Sequence, residues 1–204
     1  DPLGDLPLKL ARGIVDVARG ATAVGAQLLE QIVDDPRLAF GDRLKAGGSL
    51  ALAPKFSPRL GEAQARAEAT LQAALEHGYV LRALRLRIIA GQIEVGQGKT
   101  SQAVKRAAEV RRKLTGALAA AEPRRLIDVT LAEAEARALA GEGRAARAAL
   151  KAADAALESH LAEADERAIA PPARPHGAPA GSVVNGAGLL ARARVLAMLD
   201  GSSA

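Results

Sequence analysis

Residues 81–95, Leu-Arg-Ala-Leu-Arg-Leu-Arg-Ile-Ile-Ala-Gly-Gln-Ile-Glu-Val, set the strongest limit on what this chain can fold into. Read at helical periodicity, Leu81, Leu84, Ile88, Gly91 and Val95 form one apolar stripe, and Leu86, Ile89 and Ile93 form a second on roughly the opposite side. Arg85, Gln92, Arg87 and Glu94 fill narrow strips between them. A helix apolar on two flanks must be covered on both, so the segment is predicted to be an interior layer between neighbouring helices.

The neighbours are predicted to be helices as well. Phe40, Phe56 and Tyr79 are the only aromatic residues, so the core must be built from Ala, Leu, Val and Ile. Alanine is the best helix former and β-branched residues are a minority. The expected fold class is all-α: antiparallel helical hairpins stacked as a solenoid or bundle, without a sheet. There is no cysteine, which removes disulfides, thiolate metal sites and thiol nucleophiles together. No uncharged apolar run long enough to cross a membrane stands in the sequence, because the best one, 175–191, is broken by Pro and Gly. With Asp1 as its first residue, the sequence assigns no compartment.

Four segments follow along the chain. Residues 1–56 are expected to hold one long helix, from Pro7 to Val33, and one short helix that starts after Asp34-Asp35-Pro36 and stops at Gly47-Gly48. In the long helix, Ala11-Arg12-Gly13 recurs as Ala18-Arg19-Gly20, which places Gly13 and Gly20 one above the other as a notch for close helix packing. The approaching helix belongs either to this chain or to a second subunit. Residues 57–170 are expected to form a repeat core, beginning with Ser57 as cap and Pro58 in the first turn and including one helix from Ser101 to Ala121. Residues 171–185 are rich in Pro and Gly and read as a loop. Residues 186–204 carry Leu189, Leu190, Val195, Leu196 and Met198 and read as a capping helix that docks.

Within the core two hairpins repeat. Gly91 lies seven residues before Gly98 and is followed by Ala103, Ala107 and Val110; Ala136 lies seven before Gly143 and is followed by Ala148, Ala152 and Ala155. Small residues facing one another let the two arms of a hairpin cross closely, and glycine permits the reversal. In this pattern, over about residues 79–168, the chain resembles a tetratricopeptide repeat. Two departures stand out: Arg87 and Glu94, and in the second unit Ala132 and Leu139, occupy the family's bulky aromatic places, and the units are 45 residues apart, longer than the family's compact repeat. The resemblance implies a scaffold without enzymatic activity that binds another protein or peptide.

Charge suggests where. The chain carries a net +5, with 11 basic against 5 acidic residues over 57–121 and 7 against 10 over 122–170. Arg82, Arg85, Lys105, Arg106 and Arg112 are the candidate partner-binding residues, suited to an acidic segment. Gly13 and Gly20 are the candidate helix-packing interface of the alternative reading, a structural subunit of a homo- or hetero-oligomer. Nucleic-acid binding is a third reading, disfavoured because no aromatic residue lies among the arginines for base stacking. The family's carboxylate-clamping mode needs asparagine with lysine, and the only asparagine, Asn185, lies outside the repeats.

No catalytic residues, cofactor or metal are expected. Gly96-Gln97-Gly98-Lys99-Thr100 imitates the end of a phosphate-binding loop, but the position that needs the leading glycine is Ile93, and the lead-in is helical where a strand is required. It reads as a hairpin turn. His77, His160 and His176 are far apart, and no nucleophile, base and acid stand together. His77 suits a helix C-terminus, and His160 reads as solvated.

Overall fold

The computed structural model describes residues 5–53, 59–169, 192–193 and 195–199. All regular structure among them is helical, as expected: α1 (Leu6–Ala18), α2 (Thr22–Glu30), α3 (Phe40–Leu52), α4 (Leu60–Glu76), α5 (Val80–Gly96), α6 (Thr100–Lys113), α7 (Gly116–Ala121), α8 (Pro123–Leu139) and α9 (Gly143–Ile169). Residues 192–193 and 195–199 are helical too. The chain divides into two compact units, Asp1–Arg106 and Ala107–Ala204, and the division falls inside α6.

In the first unit, the long N-terminal helix expected from Pro7 to Val33 is two helices. Gly20 takes φ +89° and reverses the chain between them, a conformation that costs glycine nothing. Gly20 is therefore a turn residue, with open space where a side chain would stand. Gly13 does lie at a close approach, made within the chain: a Cβ there would stand 2.7 Å from Leu29 Cγ, and one on Gly25 would stand 2.7 Å from Gly13 O. Leu6, Leu10, Leu29 and Ile32 are buried together with Leu38, Ala46 and Leu50.

Gly47-Gly48 does not end the next helix. Both glycines are buried inside α3, where a Cβ on Gly47 would meet Thr70 Oγ1 at 2.8 Å and one on Gly48 would meet Leu86 Cδ2 at 3.0 Å. Close contact with α4 and α5 outweighs the ~1 kcal/mol by which each glycine disfavours helix. α3 thus joins two cores. Ala46 and Leu50 face the cluster of α1 and α2, while Leu44 and Ala51 pack with Ala63, Ala67 and Leu71 of α4 and Ala83, Leu86, Ile89 and Ile93 of α5. The expectation for α5 holds, with Leu84, Leu86, Ile88, Ile89 and Ile93 all buried. Ser57 and Pro58, the expected cap and first turn before α4, lie outside the described residues.

Three helix ends close in the same way. Gly78, Gly98 and Gly141 have φ of +72°, +75° and +77°. In each, the glycine N–H reaches the carbonyl three residues back and the next N–H reaches the carbonyl five back: Tyr79 N to Ala74 O at 2.8 Å, Lys99 N to Glu94 O at 2.8 Å, Glu142 N to Arg137 O at 2.9 Å. This pair of hydrogen bonds satisfies carbonyls that a helix end leaves open. The glycine whose turn geometry matches that at Gly98 is therefore Gly141, 43 residues on, and not Gly143, which is the first residue of α9. In this register buried Ala103, Ala107 and Val110 correspond to buried Ala146, Leu150 and Ala153. The 45-residue spacing had set them against Ala148, Ala152 and Ala155, all exposed.

In the second unit the helix expected from Ser101 to Ala121 breaks at Thr115, which is extended (φ −128°, ψ 163°), and resumes as α7. α8 and α9 form the main hairpin, burying Leu131, Ala134, Ala146, Leu150 and Ala153 with Val195 and Leu199. Residues 192–199 contact α9 where they are described: Arg192 Nε and Nη2 donate to Asp154 at 2.7 and 3.1 Å, and Arg147 Nη2 donates to Leu199 O at 3.3 Å. The Pro/Gly-rich loop expected at 171–185 lies outside the described residues, as do residues 186–191.

Candidate functional site

An open groove runs between α3 and α5 in the first unit, with a cavity of about 260 Å³. Its floor is buried Leu44, Gly48, Leu86 and Ile89, and its mouth is half-buried Ile14, Lys45, Ser49, Leu52, Arg82 and Arg85. Helical spacing explains the lining. Leu44, Lys45, Gly48, Ser49 and Leu52 share one face of α3, and Arg82, Arg85, Leu86 and Ile89 share one face of α5. The result is an aliphatic trough with three cations at its mouth and, among the described residues, no acidic lining residue. Lys45 Nζ also donates to Asp42 Oδ1, and Arg82 and Arg85 each already make an interaction within the chain. Lys45 retains donors beyond the one given to Asp42.

Of the five basic residues singled out in the sequence, the groove gathers Arg82 and Arg85. Arg106 is engaged elsewhere: its Nε donates to both carboxylate oxygens of Glu94 at 3.1 Å, and its Nη2 donates to Glu94 Oε1 at 2.6 Å and to Glu68 Oε1 at 2.7 Å. One guanidinium thus ties α4, α5 and α6. Burial opposes its charge, but the hydrogen bonds and attraction of Glu94, with Glu68 behind, outweigh burial and raise its pKa above the ordinary arginine value. Lys105 is exposed on α6 away from the groove lining, and Arg112 is exposed in the second unit.

The sequence reading missed Lys45, because Gly47-Gly48 was read as a helix stop. The signal was present: Leu44, Gly48 and Leu52, with Lys45 and Ser49 beside them, keep a spacing of four across the glycine pair. It also missed the buried carboxylates. Glu94 was set among polar strips, yet it is only 4% exposed. Glu133 on α8 is only 1% exposed. Arg137 Nε donates to its Oε1 at 2.9 Å, and Arg111 Nε lies 2.9 Å from its Oε2 as an ion pair not aligned for a hydrogen bond.

His77 caps α4 as expected, its Nδ1 3.0 Å from Ala73 O, with the Phe40 ring centroid 4.2 Å away. His160 departs from the solvated reading, since its Nδ1 is buried without a hydrogen-bond partner among the described residues; His176 lies outside them. Among the described residues no three His, Asp or Glu side chains stand together as metal ligands, and no helix is long and apolar enough to cross a membrane. Lys99 and Thr100 belong to the turn at Gly98 and the start of α6. No protein-family model matches the chain, and neither does a curated protein or a solved structure.

Proposed function

We propose that this chain is a non-enzymatic protein-interaction scaffold, in which the groove between α3 and α5 receives a segment of a partner protein. The α5–α6 and α8–α9 hairpins are read as tetratricopeptide-like units in the 43-residue register. The observation that carries the reading is the convergence of Lys45, Arg82 and Arg85 around an aliphatic trough. Exposed cations on helix faces are commonplace; cations from two helices around one apolar cavity are what a docking site needs, because apolar contact supplies the affinity and charge selects the partner.

The test is retention of partner proteins on the immobilised full chain, compared with a Ser49→Phe variant that fills the trough from its α3 wall. Proteins held by the first and lost from the second support the reading. An identical retained set on both, with unchanged circular dichroism, removes it. The alternative of a structural subunit joined through Gly13 and Gly20 draws nothing from those glycines, because Gly13 is packed within the chain and Gly20 is in a turn.

A further inference from the structure

We infer that two copies of this chain pair through the outward face of α1, the two helices running antiparallel about a two-fold axis, to form a weak, reversible dimer. This goes beyond the groove between α3 and α5 and stands independently of it. The face concerned is the one turned away from Gly13.

α1 is apolar on two sides. Leu6, Leu10 and Gly13 are its buried residues. At about 100° per residue, Leu8, Ala11, Val15 and Ala18 fall within an arc of about 80° whose centre lies about 150° from theirs. All four are exposed. Leu8, 68% exposed, is the most exposed large apolar side chain among the described residues, and Val15 is 42% exposed. Their spacing of three, four and three is that of a coiled-coil seam.

The seam selects a second copy of itself as the occupant. Large and small residues alternate along it as Leu, Ala, Val, Ala. Parallel pairing would set Leu8 against the partner's Leu8 and Ala11 against the partner's Ala11, so the gap between the axes would have to widen and narrow within one turn. Antiparallel pairing sets Leu8 against the partner's Ala18 and Ala11 against the partner's Val15. Every layer then holds one large and one small side chain at constant separation, and the contact is isologous, as a two-fold requires.

Charge points the same way. Asp5, Arg12, Asp16 and Arg19 follow one edge of the seam in the order minus, plus, minus, plus, while Pro7 and Ile14 leave the other edge uncharged. Asp5 and Arg19 are the two caps of α1, both with helical backbone angles, and neither has an ion-pair partner within the chain among the described residues. Reversing the order inverts every sign. An antiparallel copy therefore brings Asp5 beside the partner's Arg19 and Asp16 beside the partner's Arg12, each within about 3 Å along the axis at 1.5 Å per residue. Lys9, further round the helix, adds a second cation beside the partner's Asp16. The two Arg12 side chains also approach one another, and each keeps its own Asp16 at 3.8 Å to offset the repulsion. In a parallel pair the charged edge would face the uncharged one, and none of these contacts would form.

Extent sets the strength. α1 presents a strip of about 20 by 10 Å, short of the roughly 800 Å² per partner that a stable interface buries. The dimer is therefore weak, with a Kd on the order of 10–500 µM.

Sedimentation equilibrium of the full chain from about 5 to 500 µM should show a monomer–dimer equilibrium. Val15→Glu should leave only monomer. Arg19→Asp sets like charges together twice across the two-fold and should raise the dimer Kd at least about fivefold at low salt; adding Asp5→Arg should restore most of the loss. Orientation is read by cross-linking, because the chain has no cysteine of its own. Oxidising a mixture of Leu8→Cys and Ala18→Cys copies should join unlike copies in preference to like ones. Circular dichroism melts check that each variant folds, and the cysteine arm stands even if Val15→Glu melts early. Monomer at every concentration, a dimer that Val15→Glu leaves intact, or cross-links chiefly between like copies would each overturn the inference.

Discussion

Gly25→Ala and Gly91→Ala should change the stability of the first unit in opposite directions. Both glycines are helical and buried, and by propensity alone alanine should stabilise either helix by about 1 kcal/mol. Space decides otherwise at Gly25. A Cβ there would stand 2.7 Å from both Gly13 O and Val17 N, whereas ordinary contact begins near 3.4 Å. Both obstacles are backbone, so no rotamer change relieves them, and α1 and α2 must part by a good fraction of an ångström. Overpacking costs about 1–3 kcal/mol, and a backbone obstacle sets the upper end. Net of propensity, Gly25→Ala should destabilise by about 2 kcal/mol. At Gly91 the nearest atoms are Arg106 Cδ at 3.6 Å and Ala103 O at 3.9 Å. The added methyl touches without intruding, and the substitution should stabilise by about 0.5–1 kcal/mol. Urea unfolding followed by far-UV circular dichroism reads both in the same unit. Equal stabilisation by the two alanines would refute the packing of α1 on α2 through this notch.

Arg106→Met leaves Glu94 buried without its partner and should destabilise by about 3–5 kcal/mol in the same urea titration; adding Glu94→Met should recover most of that loss, because no lone charge remains. Gly141→Ala should cost about 1 kcal/mol, since φ of +77° disfavours any side chain. Gly143→Ala, at the start of α9 with Leu199 Cδ2 3.8 Å from the new methyl, should stay within ~0.5 kcal/mol of the parent; the reverse ranking would restore Gly143 as the turn residue. The Asp35 carboxyl accepts hydrogen bonds from the Arg37 side chain and backbone, which lower its pKa to about 2. A carboxyl depressed on folding adds stability that is fully present above its unfolded pKa and is lost as pH falls through the folded value. Carbon-detected NMR should therefore place the Asp35 midpoint near 2, and Arg37→Ala should move it up toward the ordinary value.

The sequence made the interior position of α5 legible, because two apolar stripes on one helix leave no other place for it. The hairpin turns were legible in kind and misplaced in one case. Gly141 and Gly143 flank Glu142, and either can be aligned with Gly98 while alanines fill the following positions. Only the hydrogen bonds and the sign of φ tell them apart, and neither is a property of residue type. The glycines in the first half misled for a related reason. Glycine ends helices and also admits close neighbours, so Gly20 and Gly47 exchanged roles: the residue read as a packing notch makes a turn, and the one read as a stop is packed against Thr70. Since Lys45 and Ser49 sit one on each side of Gly47-Gly48, that exchange also hid the α3 wall of the groove.

The least legible features were the buried carboxylates, and they answer a problem that the composition creates. A core made mostly of alanine and leucine offers many nearly equivalent ways to slide one helix along another, because small side chains interlock weakly and seldom exclude a shifted register. A buried ion pair has one low-energy geometry, and a shift of one turn leaves its charges unpaired at a cost of several kcal/mol. In the first unit Arg106, held in a bidentate contact with Glu94 and bonded also to Glu68, links α4, α5 and α6 at one height. In the second, Glu133 does the same for α6 and α8 through Arg111 and Arg137, and Arg137 reaches on to Glu142 beside the next turn. Such pairs add little net stability over apolar residues of equal volume. Their effect is to make the wrong alignments expensive, which is what fixes the α5 face that carries Arg82 and Arg85 opposite Lys45 on α3. The groove and the ion pair are on different faces of α5, yet the orientation of the first depends on the second: a helix pinned at Glu94 cannot rotate to bury the arginines that stand roughly two and a half to three turns before it.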